Sequence, residues 1–165
     1  SPDGRWWVLA DRTQSPSGAG YALENRIVLS RSLPEAFRDC RVLRLAGFFR
    51  AFRESLAALA PSRRSEPNIV LLTPGPYNET YFEHAYLARY LGLTLVEGAD
   101  LTVRDCRVFV KMLGGLEPVD VILRRLDDSF CDPLELRSDS SLGVAGLVEA
   151  VRTGNVVVAN ALGSG

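Results

Sequence analysis

The densest cluster of groups able to do chemistry is Arg124-Arg125-Leu126-Asp127-Asp128, with Asp132 close behind. Arginine forks bind carboxylates or phosphates through two parallel hydrogen bonds, and paired carboxylates hold a cation or orient an amine. The same charges on a solvated loop would pair with one another and do no more. A second candidate is Thr73-Pro74-Gly75-Pro76-Tyr77-Asn78, between an apolar run and a helical pattern. There the free amides of a helix N-terminus can hold an anionic group, with Thr73, Gly75 and Asn78 as its polar and open positions. Two prolines and a glycine equally make a rigid turn. No G-K-[ST] follows, so it is not a Walker loop.

Two further loops carry weaker signals. Asn160-Ala161-Leu162-Gly163-Ser164-Gly165 is a glycine-rich strand exit, suited to cradling phosphate or to simple flexibility. Asp11 stands ahead of Ser17-Gly18 and is a candidate Mg²⁺ ligand, because that ion takes oxygen ligands and few protein carboxylates. His84, the one histidine, has no Ser, Cys or Asp partner at a local spacing that would make a catalytic dyad, and reads as a packing residue.

These loops need elements to hold them. Residues 6–10 form an aromatic and β-branched run that predicts a strand, followed by a glycine-containing loop. Apolar spacings predict helices over 21–30 and 47–60, and the stretch around 61–67 reads as a linker. From there strands and helices alternate. Strands are expected at 68–72, 94–97, 119–123 and 156–159, helices at 79–91 and 143–152, and a hairpin over 103–112 turning near Asp105. Alternation of this kind predicts a doubly wound, Rossmann-like α/β sheet, whose ligands gather at the carboxyl ends of its strands.

Composition narrows the function classes. Nineteen basic against twenty acidic residues leave a formal charge of -1, so no global field draws nucleic acid or an anionic membrane. Cys40, Cys106 and Cys131 are odd in number and widely spaced, which argues against a disulfide framework or zinc ribbon and points to reduced thiols in the cytoplasm. No window approaches the roughly 18 apolar residues of a membrane span.

Three long blocks together carry a resemblance: ADRTQSPSGAGYALENR at 10–26, LTPGPYNETYFEHAYLARYLGLTLVEGADLTV at 72–103, and VDVILRRLDDSFCDPLELRSDSSLGVAGLVEAVRTGNVVVANALGSG at 119–165. They are similar to the circularly permuted ATP-grasp type 2 family, in which glutathionylspermidine synthetases look like distant relatives. The resemblance implies an enzyme that uses ATP and Mg²⁺ to activate a small carboxylate as an acyl phosphate and then lets an amine displace phosphate. It implies residues 1–31 as the tail of the ATP-grasp module, 32–66 as a helical connection, and 67–165 as a Rossmann-like, three-layer pre-ATP-grasp domain with a mainly parallel sheet, cut short at its C-terminal end. The ATP-clamping lysines and most of the nucleotide pocket are expected outside this chain, whose main partner is then the remainder of its own polypeptide. The chain alone is expected to be inactive.

By the same resemblance Arg124, Arg125, Asp127 and Asp128 match the family's R-R-x-D-D block and are implied as substrate contacts; Asn78 and Asn160, from their own loops, are further substrate-binding candidates. One departure stands out: where the family commonly has Leu-Glu-Asp-Asn, this chain has Leu9-Ala10-Asp11-Arg12, so only Asp11 remains as a metal ligand. The rival reading is a non-catalytic Rossmann-like module binding a small ligand or a protein. A nucleotide-dependent oxidoreductase is disfavoured, since no G-x-G-x-x-G follows the 68–72 strand.

Overall fold

The computed structural model describes residues 2–62 and 64–164. Three helices come first, α1 (Ala19–Ser32), α2 (Pro34–Asp39) and α3 (Ala46–Ala58). Pro34 opens α2, where its fixed φ is already helical and its missing N–H costs nothing. Residues 6–10 form neither strand nor helix. Their side chains favour a strand, but a strand is stabilised by a neighbour's hydrogen bonds, and no described segment supplies them.

Beyond the linker the chain alternates: β1 (Ile69–Leu72), α4 (Tyr81–Leu91), β2 (Thr94–Val96), β3 (Leu101–Arg104), β4 (Arg107–Met112), β5 (Gly115–Pro118), β6 (Val121–Arg124), α5 (Leu147–Arg152) and β7 (Val157–Ala159). β2, β1, β6 and β7 lie side by side in that order, all parallel. In β1 and β6 every residue is buried, as expected of strands covered on both faces. Alternate residues serve opposite layers. Val70, Leu72, Ile122 and Val158 face a core closed by α5 and by β3 and β4, while Ile69, Leu71, Val121 and Leu123 face one closed by α1, α3 and α4. Burial of each such side chain stabilises by about 1.5–3 kcal/mol. The architecture is the predicted α/β, with a parallel sheet between two layers.

The hairpin expected over 103–112 is β3 and β4, turning at Asp105 and Cys106, both at positive φ of 49° and 56° as a two-residue type I′ turn requires. It gains an unpredicted third strand, β5, whose Gly-Leu-Glu-Pro sequence pairs antiparallel with β4. α5 starts later than the expected residue 143. Gly143 lies against Phe130 and Cys131, where a Cβ would fall 2.2 Å from the Phe130 carbonyl oxygen, and Gly146 takes a φ of 83°. The buried Asp132 carboxylate then accepts the amides of Gly146 and Val148 at 3.2 and 2.9 Å, so the helix begins where its cap sits.

The candidate site at the carboxyl edge of the sheet

β6 ends in two adjacent arginines, and strand alternation sends them apart. Arg124, 0% exposed, has an acceptor for all five of its N–H groups. Nε donates to the Asn160 carbonyl at 2.7 Å; Nη1 to the Gln14 side chain and the Leu126 carbonyl, both at 2.6 Å; Nη2 to the carbonyls of Gln14 at 2.6 Å and Ala161 at 3.2 Å. Asn160, held at a positive φ of 62°, returns a bond from Nδ2 to the Arg124 carbonyl at 2.8 Å. Arg124 and Asn160 therefore fasten the segment around Gln14 to the sheet and to the exit loop after β7. Thr13 and Ser164 exchange hydrogen bonds a little further along the same seam.

Arg125 points the other way. It donates to the Pro16 carbonyl at 2.6 Å and pairs with Glu83 at 3.3 Å, their side chains 6% and 0% exposed, and its buried Nε has no partner among the described residues. The other oxygen of Glu83 accepts the amides of Gly18 and Gly20 at 2.7 and 2.8 Å, so one carboxylate orients the guanidinium and satisfies the first amides of α1. Gly20 has no room for a side chain, since a Cβ would lie 2.7 Å from Glu83 Cγ.

The Thr73–Asn78 loop is held from within. Gly75, at a φ of 99° and packed on the Glu97 carboxylate, donates its amide to Thr73 Oγ1 at 3.2 Å, and Thr73 bonds His84 Nδ1 at 2.9 Å. On the far side His84 Nε2 lies 3.0 Å from Thr80 Oγ1, which donates to Asn78 Oδ1 at 2.7 Å. Because Asn78 Oδ1 only accepts, the directions propagate: Thr80 accepts from Nε2–H, and Nδ1 accepts from Thr73. The chain places the proton of the neutral ring on Nε2. Burial lowers the His84 pKa to about 4, with the Arg125 charge acting the same way.

Between these supports lies an open cleft of about 580 Å³. Asp11, Ser17, Asn78, Arg125 and Asp127 line it, together with Arg12, Glu79, Thr80, Leu126 and Phe130. The other sequence candidates stand behind the wall: Arg124 and Asn160 in the seam, Gly18 on Glu83, Thr73 and Gly75 in the histidine chain. Asp128 accepts the Ser129 and Gly163 amides at 2.7 and 3.1 Å. Desolvation raises its pKa, but those amides, Gln14 and the charge of Arg124 outweigh it and hold the carboxyl below its usual value. Among the described residues no three of His, Cys, Asp or Glu converge to hold a metal ion. Asp11 stands in the cleft as a single carboxylate. Cys131 is buried, its thiol raised to about 11 by burial, which leaves it a packing residue.

Two supporting residues escaped the sequence reading. Glu83 does carry a signal, for it sits four and eight residues before the buried Leu87 and Leu91, a charge on the core stripe of α4. Gln14 carries none, since its partners lie 110 and 114 residues away.

The chain compares closely with known sequences. It is 49% identical to "Uncharacterized protein Rv2567" of Mycobacterium tuberculosis over 164 residues, 99% of this chain and 19% of that protein. It is 47% identical to "Uncharacterized protein Rv2411c" of the same species, with 98% and 29% covered, and 45% identical to "Uncharacterized protein sll0335" of Synechocystis, with 98% and 34% covered. The chain spans between 19% and 34% of the length of these relatives. No helix among the described residues is long and apolar enough to cross a membrane. The model of the circularly permuted ATP-grasp type 2 family matches residues 1–165, and the chain belongs to that family.

Proposed function

We propose that this chain positions substrate in a longer ATP-dependent ligase that joins a carboxylate to an amine through an acyl phosphate. In that reaction a carboxylate oxygen attacks the γ-phosphorus and ADP leaves; the amine nitrogen then attacks the acyl carbon, phosphate leaves and the nitrogen loses a proton. The observation that carries the reading is the cleft itself. Three sequence-distant loops, around Gln14, Asn78 and Asp127, meet there at the carboxyl edge of a parallel sheet, where ligands of open α/β folds bind. Family membership supports ATP as the energy source. Residues 1–31 then serve as the tail of the catalytic module and 67–165 as the substrate-holding domain, joined through 32–66.

Within this reading the adjacent arginines divide the work. Arg125 reaches the cleft wall and holds a substrate carboxylate, with Glu83 fixing the plane of its fork. Asp127 takes the amine, and Asn78, whose Oδ1 is held by Thr80, supplies its Nδ2 as a donor. Arg124 keeps the Gln14 segment in place. Magnesium, expected to neutralise phosphoryl oxygens, finds one candidate carboxylate here, and other parts of the polypeptide complete its ligand set. A second reading has one observation in its favour: Arg12 and the incomplete cation set suit a module that binds a small charged ligand without turnover.

The experiment is ADP release by the full-length protein, with carboxylate and amine supplied separately and together. Release that requires both supports the ligase, and none under any pair leaves the binding module. Arg125→Ala should lower turnover on the order of 10²-fold through lost positioning, and Arg125→Lys should not restore it, since an ammonium cannot replace a fork. Unchanged kinetics in both variants would remove Arg125 from the site.

A further inference from the structure

A second cavity, of about 280 Å³, opens on the helical layer between α1, the α2–α3 connection and α4, and shares no lining residue with the cleft. Its floor is apolar, with Ile27, Phe37 and Leu45, and around it stand Arg26, Arg31 and Arg44. No acidic side chain lines it. Arg26 is tied down by a 2.5 Å bond from Nη1 to the Leu43 carbonyl, whereas Arg31 and Arg44 are exposed.

The surroundings repeat this combination of positive charge and uncovered apolar surface. Residues 26–64 carry nine arginines and three carboxylates, a surplus of six, while the rest of the chain has ten basic against seventeen acidic residues. The 26–64 segment is thus more basic than the chain as a whole, whose formal charge is -1. Beside the cavity α1 does not confine its apolar residues to one side, for Leu23 is buried but Val28 and Leu29 are 45% and 42% exposed, and Leu33 and Leu43 are exposed at 56% and 80%. Contiguous apolar surface rimmed by polar groups marks interaction sites in soluble proteins, and interface anchors seat in apolar pockets surrounded by complementary charge.

We propose that this face is a docking site for an acidic peptide segment of a protein partner that carries an aromatic or aliphatic anchor. The anchor enters the cavity over Phe37 and Leu45, and carboxylates on either side of it meet the forks of Arg31 and Arg44. Arginine suits this task because each fork binds a carboxylate with two parallel bonds while its weakly hydrated plane lies on apolar surface. The exposed guanidiniums of Arg31 and Arg44 also attract an acidic segment toward the cavity and repel basic ones.

The test uses the full chain and a capped, fluorescently labelled peptide, Glu-Glu-Phe-Leu-Glu-Glu, with binding read as anisotropy. Two controls run beside it: the same peptide with Ser-Ser in place of Phe-Leu, and vesicles of phosphatidylcholine with phosphatidylserine. The expected result is binding that weakens about tenfold or more on loss of the Phe-Leu anchor, and likewise in Arg31→Glu/Arg44→Glu. The milder Arg31→Gln/Arg44→Gln pair, matched to the parent in its thermal melt, should show part of the same loss and guards against misfolding. Equal binding of both peptides would reduce the face to plain charge attraction and overturn the proposal. So would binding unaffected by either double variant, binding to the vesicles and not the peptide, or no binding at all.

Discussion

At the carboxyl edge of the parallel sheet, the guanidinium of Arg124 is wholly buried and meets five acceptors, while on the helical layer Arg31 and Arg44 stand exposed around an apolar cavity. Residue type alone therefore says little about what an arginine does. What separates the two regions is the supply of carbonyls. Three chain segments converge at the end of β6 with unpaired backbone oxygens, and a fork with five fixed donors closes them at once; at the cavity Arg26 finds the Leu43 carbonyl, but Arg31 and Arg44 stand exposed and leave their forks for an external anion. The Arg124 seam is thus internally satisfied, and the helical face keeps exposed cations open to partners.

If that contrast is right, Arg124→Ala has the largest effect of any arginine substitution in the chain. It leaves the Gln14, Leu126, Asn160 and Ala161 acceptors buried without donors, at a cost of about 5 kcal/mol, and frees the Gln14 segment from the sheet. Urea unfolding of variant and parent measures it, and a midpoint within error of the parent's would show that the seam does not hold the segment. Glu83→Ala should follow at about 3–4 kcal/mol, because it strands a buried guanidinium and unpairs the amides of Gly18 and Gly20. Glu83→Gln keeps an acceptor for those amides and should cost less, so equal losses would place the whole effect in the ion pair.

The histidine chain offers a smaller, pH-dependent effect. His84 titrates near 6.5 when unfolded and near 4 when folded, so between those values the unfolded chain binds the extra proton. The contribution of His84 is therefore complete above pH 6.5 and declines as pH falls to about 4, by roughly 2–3 kcal/mol in all. As the chain has one histidine, an imidazole NMR signal follows it directly. A signal titrating at its ordinary value would break the inferred chain from Gly75 to Asn78.

Most elements of the α/β body are legible in the sequence because their signals are local. The all-apolar 69–72 run, the helical pattern over 79–91 and the Asp105 turn each state their structure within a few residues. What escaped is non-local in each case. β5 is a strand only because β4 lies beside it, and the 6–10 run has strand-forming residues but no partner. The site divides in the same way. Sequence pointed to Asp11, Ser17, Asn78, Arg125 and Asp127, which meet in the cleft, but strand alternation and the distant Gln14 decide that Arg124 turns inward while Arg125 lines the wall.

The smallest effect is the one that completes the contrast. Arg31→Ala or Arg44→Ala should shift folding stability by no more than about 0.5 kcal/mol, since each side chain is exposed and neither is required by a buried acceptor. Set against Arg124→Ala in the same urea titration, the ratio between the two costs measures how far each region has used its cations internally. A loss at Arg31 or Arg44 approaching that at Arg124 would mean that the helical layer depends on these charges for its own packing. The forks would then already be engaged, and the basic face would have little left to offer a partner.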